Sequence, residues 1–142
     1  MAGAVKQRVL ILCTGNSARS QMAEGLWRHL AGDRCDVFSA GTHPSRVRPE
    51  AIAAMAELGM DLTGHRSKSV DEFAGQPFDL VVTVCDRARE LCPIYPQTTR
   101  RLHWSFSDPA AVEGSEELRL AAFRNVRDQI AAQLRAFLAS KE

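Results

Sequence analysis

No apolar run long enough to cross a membrane or to form a secretory signal core occurs in the 142-residue sequence. The strongest run near the start, Val9 to Leu12, follows Lys6 and Arg8. It falls far short of the roughly 7–15 residues of a signal core or the ~20 of a membrane span. A cytoplasmic protein with no membrane partner is expected. Charge of one sign is not in excess either: 18 Lys+Arg against 17 Asp+Glu leave a formal net charge of +1. There is no bulk basic field of the kind that gathers nucleic acid, so any anion site must be local. Glycine and proline number only nine and six, which excludes fibrous and linker-like chains. The four cysteines, at positions 13, 35, 85 and 92, are too sparse for a disulfide scaffold. Reduced thiols are expected, and each one not simply buried is a candidate for catalysis or redox chemistry.

What remains is an ordinary globular composition, 45% hydrophobic and 25% charged, in a length that suits one hydrophobic core. Residues 1–142 are expected to form a single domain, and a monomer. Val9 to Leu12 reads as a strand buried on both faces. Met22, Ala23, Leu26, Trp27 and Leu30 then recur at helical spacing as far as Gly32. Val37 and Phe38 make a second strand. Pro49 to Leu58 reads as a helix with proline in its first turn and Gly59 at its close. Leu80 to Val84 is β-branched and apolar, and a fourth strand is expected near Arg101 to Phe106. A long amphipathic helix follows Ser115, with Leu120, Phe123, Val126, Ile130, Leu134 and Phe137 on one face. Strands alternating with helical segments predict an α/β fold, a small four-stranded parallel sheet with helices on both faces. Ligands of such sheets bind beyond the carboxyl ends of the strands, where both Cys13 and Cys85 fall.

The segment Cys13-Thr14-Gly15-Asn16-Ser17-Ala18-Arg19-Ser20 joins the first strand to the first helix. Gly15 and Asn16 tolerate left-handed backbone, so the turn can point successive N–H groups inward as an anion nest. The helix adds its positive end and Arg19 a planar fork matching two oxygens of a tetrahedral oxyanion. That combination suits phosphate or arsenate. The same field is expected to lower the pKa of Cys13, with the Ser20 hydroxyl available to the sulfur, making Cys13 a nucleophile aimed at the bound anion. Asp108, before Pro109 in a polar loop, is a candidate proton donor to a departing oxygen.

These motifs, together with Q-M-A-E-G at 21–25, Ser39-Ala40-Gly41-Thr42, Val81-Val82-Thr83-Val84-Cys85, Cys92-Pro93, His103-Trp104 and Asp108-Pro109, resemble the low-molecular-weight protein tyrosine phosphatase family. The likeness is specifically to its thioredoxin-coupled arsenate reductase branch, and it covers essentially the whole chain. The resemblance implies reduction of arsenate to arsenite, with phosphate or sulfate as competing oxyanions, thioredoxin as partner, and no cofactor. It implies that Cys13 forms a thiol–arsenate adduct, that Cys85 attacks it to release arsenite, and that Cys92 takes over the disulfide and presents it to thioredoxin. Cys35 has no counterpart in that scheme and reads as a small buried hydrophobe. The histidines are assigned no role.

Were residues 87–91 helical, Cys85 and Cys92 would lie about 10 Å apart, beyond the roughly 7 Å limit of a disulfide. The segment is expected to unwind when the bridge closes. The sequence also departs from the pattern. The phosphatases carry tyrosine after Asp-Pro where Ala110 stands here, which argues against an aryl phosphate as the main substrate. Some reductases of the branch hold potassium through counterparts of Asn16, Glu24 and Ser39 and an acid that aligns with Lys68. No metal is expected, and Lys68 itself is expected to balance Glu24. Ala18 replaces a further cysteine found in many relatives, so the redox partner of Cys13 must come from elsewhere. Two other readings stand beside the reductase: a phosphatase using Cys13, Arg19 and Asp108 alone, and a thiol redox sensor or oxyanion-binding module.

Overall fold

The computed structural model of the chain describes residues 6–85 and 99–140. Its centre is β1 (Gln7–Cys13), whose apolar run is continuous because strands lie on both sides of it and layers on both faces. β2 (Cys35–Gly41) pairs with one edge of β1, placing Val9 opposite Val37 and Cys13 opposite Gly41. β3 (Leu80–Thr83) pairs with the other, placing Leu12 opposite Thr83, and β4 (Arg100–His103) completes the sheet in the order β2-β1-β3-β4, all parallel. Of the inner strands, β3 is buried throughout and β1 from Val9 to Cys13, whereas no residue of the edge strand β4 is fully buried. β4 stops three residues before the expected Phe106, after Trp104 donates its amide to Thr83 O at 2.9 Å.

Side chains alternate across a strand, and here the alternation sorts the two faces. Ser39 faces helix α1 (Arg19–Ala31), where Glu24 receives its hydroxyl. Phe38, next to it, points to the opposite face and packs with Phe73 and Phe78, Phe73 coming from the 3₁₀ turn Val70–Phe73. Helix α2 (Pro49–Ala56) ends two residues before the expected Leu58. The turn beyond it closes as a Schellman motif, with Met60 N on Met55 O at 3.0 Å and Gly59 N on Ala56 O at 2.9 Å. Gly59 takes φ +78°, which a side chain would strain.

Helix α3 (Glu116–Ser140) opens with the expected cap, the Ser115 hydroxyl accepting from Leu118 N at 3.2 Å. It buries Phe123, Val126, Ile130 and Leu134 against the other helices. Each such apolar side chain contributes about 2 kcal/mol. Arg127, also buried on this face, was not foreseen. Its guanidinium donates to Ala54 O at 2.8 Å and to Glu57 at 2.9 Å, so a charge enters the packed layer because α2's C-terminal carbonyl and a carboxylate meet it. Trp27 of α1 stacks on Trp104, with Phe137 of α3 edge-on to both. Among the described residues, no helix is long and apolar enough to cross a membrane. The layers leave Cys13, Gly41, Cys85 and His103 together at the carboxyl edge of the sheet.

Candidate active site

The loop from Thr14 to Ala18 turns all its carbonyls away from its own interior. Cys13 O accepts from Thr42 N at 3.2 Å, Thr14 O from His43 N at 2.8 Å, Gly15 O from Ser45 N at 3.0 Å and Ser17 O from Arg48 N at 2.9 Å. Asn16 O accepts from the Ser67 hydroxyl at 2.6 Å, and Ala18 O from Met22 N at 2.9 Å. With the acceptors engaged outward, the N–H groups are left to face the concave side. Among the described residues, no hydrogen bond takes up the amides of residues 14–19. The first turn of α1 contains no acidic residue, so the positive end of that helix is not neutralised by its own side chains. This is the geometry of an anion cradle.

Asn16 holds the cradle in shape. It is the one described non-glycine residue with positive φ, +49°, and it is fully buried. Its Nδ2 donates to Ser20 Oγ at 2.8 Å and Ser39 Oγ at 3.0 Å, and its Oδ1 accepts from Gln21 Nε2 and from Lys68 N, each at 3.0 Å. Gln21 Oε1 in turn meets His65 Nδ1 at 2.9 Å, which fixes the orientation of the Gln21 amide. Gly41 closes against the loop so tightly that a Cβ there would stand 2.5 Å from Thr14 O. Replacing Asn16 by alanine leaves the Lys68 amide without its acceptor and takes a donor from the buried Ser20 and Ser39 hydroxyls, at about 1–3 kcal/mol for each group left unpaired. We expect a loss of roughly 3 kcal/mol of stability, read as a lower denaturant midpoint at unchanged m-value. Inorganic phosphate should also bind more weakly.

Burial of Glu24 is met by two partners: the Ser39 hydroxyl donates to Oε1 at 2.5 Å and Arg28 Nη2 lies 2.8 Å from Oε2. The balancing charge expected from Lys68 comes instead from Arg28, one helical turn along at the i,i+4 spacing, where a short path to the carboxylate exists. Lys68 contributes its backbone N–H to Asn16 and rests its ammonium on Arg66 O at 3.3 Å. Burial lowers its pKa, against a raising pull from Glu24.

Arg19 reaches across the cradle. Its Nη1 donates to Phe106 O at 3.1 Å and its Nη2 lies 3.8 Å from Asp108 Oδ2, while Nε is buried and meets no protein acceptor among the described residues. An oxyanion seated against Nε would supply the missing acceptor. Asp108 is half-exposed and is itself held by Ala110 N, which donates to Oδ1 at 3.0 Å.

Cys13 forms the floor, 2% exposed, with Cys85 beside it at 4%. The two sulfurs share a hydrogen bond, and the Thr14 hydroxyl lies 3.3 Å from Cys85 Sγ. The pKa of Cys13 is raised, first by the hydrogen bond with Cys85 and then by burial; the Ser20 hydroxyl and amide and the charge of Arg19 pull it down. The expected lowering is thus outweighed. The loop and Arg19 act in the foreseen direction, but a second thiol in contact shares the proton, which only the tertiary structure reveals. Cys85→Ala should therefore shift the Cys13 titration to lower pH, measured as the pH dependence of iodoacetamide alkylation. An unmoved profile would contradict the shared proton.

The structure thus gathers Cys13, the 14–20 loop, Arg19, Asp108 and Cys85. Cys92 and its neighbours 86–98, including the expected unwinding segment, lie outside the described residues. Cys35 is buried at the foot of β2, as expected. Gln21, His65, Ser67 and Arg28 were not singled out. The Glu24/Arg28 pair was readable from helical spacing, whereas the other contacts join segments over forty residues apart.

A thiol under an amide cradle and an arginine fork, at the carboxyl edge of a four-stranded parallel sheet, is the geometry expected of a cysteine-based oxyanion site. The chain belongs to the low molecular weight phosphotyrosine protein phosphatase family, whose model matches residues 8–142. Within it, an arsenate reductase of Halalkalibacterium halodurans is 46% identical over 132 residues, 93% of this chain and 95% of that protein. A solved arsenate reductase in the phosphate binding state superposes with a TM-score of 0.76 at 32% identity, covering 96% of this chain and 99% of the other. A thioredoxin-dependent arsenate reductase of Corynebacterium glutamicum superposes with a TM-score of 0.70 at 26% identity, covering 99% of this chain and 66% of that one.

Proposed function

We propose that this protein is a cytoplasmic arsenate reductase that works by a three-thiol relay discharged by thioredoxin. The observation that carries the reading is the contact between Cys13 and Cys85 beneath the cradle. A phosphatase needs the first sulfur only; a two-electron reduction needs a second within bonding reach of it.

Arsenate enters against the amides of residues 14–19 and Arg19 Nε. The incoming dianion takes the proton shared by the two sulfurs, and Cys13 thiolate displaces one arsenate oxygen as water, with Asp108 positioned to protonate it. Cys85 then attacks the Cys13 sulfur. The electron pair of the S–As bond stays on arsenic, which leaves as arsenite, and a Cys13–Cys85 disulfide remains. Cys92 attacks Cys85 in its turn, freeing Cys13 and forming the disulfide that thioredoxin reduces. The likeness to a thioredoxin-dependent reductase supports that last partner.

The test is arsenate-dependent NADPH oxidation with thioredoxin and thioredoxin reductase, run on the parent protein and on Cys13→Ser, Cys85→Ser and Cys92→Ser. All three variants should lose multiple turnover. Full turnover in Cys92→Ser would remove the third step, and none in the parent with any dithiol reductant would remove the reading. The cradle and Asp108 also suffice for ester cleavage, so weak hydrolysis of small aryl phosphates is expected alongside.

A further inference from the structure

In the reduced protein Cys13 and Cys85 are two buried thiols side by side at the base of a cradle open to small oxo-acids: Val84 N, one residue before Cys85, meets Leu12 O, one residue before Cys13, at 2.9 Å, and the Thr14 hydroxyl lies 3.3 Å from Cys85 Sγ. Arsenic(III) as arsenous acid is neutral, pyramidal and thiophilic. With bonds to sulfur of roughly 2.3 Å, as at other thiolate-bound centres, and near-right angles, its two sulfurs stand about 3.3 Å apart. Two sulfurs in hydrogen-bond contact need little movement to reach that separation. We propose that the reduced Cys13/Cys85 pair is a binding site for trivalent arsenic, so that the protein captures its own product. The product identity rests on the reductase reading; the site itself rests on the thiol pair.

The exchange involves no redox change. Each thiol proton leaves with one arsenic hydroxyl as water, two As–S bonds form, and one hydroxyl stays on arsenic. That hydroxyl lies where the 14–19 amides and Arg19 Nε face the floor, and the Thr14 hydroxyl borders the Cys85 side at 3.3 Å. Capture is confined to the reduced protein, because a Cys13–Cys85 disulfide has no thiol to offer. Product therefore leaves freely in the step that makes the disulfide, and rebinds only after the pair has been reduced again. Arsenite and arsenate then compete for the same form of the protein.

The experiment treats reduced protein with arsenite, without arsenate or reductant, alkylates it with iodoacetamide, and identifies protected cysteines by peptide mass spectrometry. Cys13 and Cys85 should be protected together. Either serine variant should weaken protection of the remaining partner roughly a hundredfold or more, since the second bond is then no longer intramolecular. Cys92→Ser should retain protection. Protection of Cys85 with Cys92 instead, or protection surviving in Cys13→Ser, would overturn the proposal, as would no protection in the parent. Inorganic phosphate should still shield Cys13 in Cys85→Ser, which shows that the loop has folded. In the coupled assay arsenite should inhibit competitively against arsenate; noncompetitive inhibition would contradict a shared site. Because capture is read without turnover, it stands or falls separately from the relay.

Discussion

Cys85→Ser should reduce arsenate turnover to the uncatalysed background while the same preparation still hydrolyses small aryl phosphates. The reason is the division of labour in the site. In the proposed mechanism everything that holds and attacks a tetrahedral anion comes from the 13–20 loop, Arg19 and Asp108, and Arg19 and Asp108 stand 3.8 Å apart. Cys85 adds only a second sulfur, in contact with the first. A serine hydroxyl fills nearly the same space and can keep the Thr14 contact, but it cannot accept the bond from Cys13 that releases arsenite. The loss is of a step rather than of affinity, so it should appear wholly in turnover, with phosphate inhibition of the esterase reaction unchanged. Equal loss of both activities would mean that Cys85 supports the fold of the cradle instead. Since the hydrogen bond with Cys85 is the first cause of the raised Cys13 pKa, the esterase reaction of this variant should also keep its rate to lower pH than the parent.

The second large effect is expected at Arg19. Lysine preserves the charge but not the fork, and the geometry uses the fork: Nη1 is committed to Phe106 O, Nη2 approaches Asp108, and Nε remains for the anion. A single ammonium cannot serve three directions at once. Arg19→Lys should lower kcat/KM for arsenate and for aryl phosphate alike by about 10²–10³-fold, the usual consequence of losing one preorganised donor to a developing charge. The inhibition constant for phosphate should rise as well. Loss of the same size in arsenate reduction with aryl phosphate hydrolysis untouched would place Arg19 outside the anion site.

Local pattern revealed most of this architecture. The apolar runs 9–12 and 80–84, the helical spacing from Met22 to Leu30, and Ser115 ahead of a long amphipathic stretch each correspond to an observed element. These signals are short-range, and the buried strands satisfy them from both faces at once. The boundaries that differ, at α2 and β4, lie where pairing or capping ends the element before the apolar pattern does. The turn of the anion loop was legible at Asn16, which takes left-handed backbone at φ +49°, and at Arg19 through the shape of its side chain; Gly15, expected to share that backbone, does not adopt it. What pattern could not reveal is long-range. Asn16 meets Ser39 and Lys68, Gln21 meets His65, and Cys13 meets Cys85 across 72 positions, through the pairing of β1 with β3. The direction of the Cys13 pKa was misjudged for the same reason. Its largest cause is a neighbour that local sequence does not place there.

The central claim is that the sulfur next to Cys13 completes the reduction, and one measurement addresses it directly. Cys92→Ser, fully reduced and given arsenate with no reductant, should release one arsenite per protein molecule and stop. Peptide mapping should then find Cys13 joined to Cys85. Arsenite released with both thiols still free, or a disulfide that leaves Cys13 out, would contradict the account.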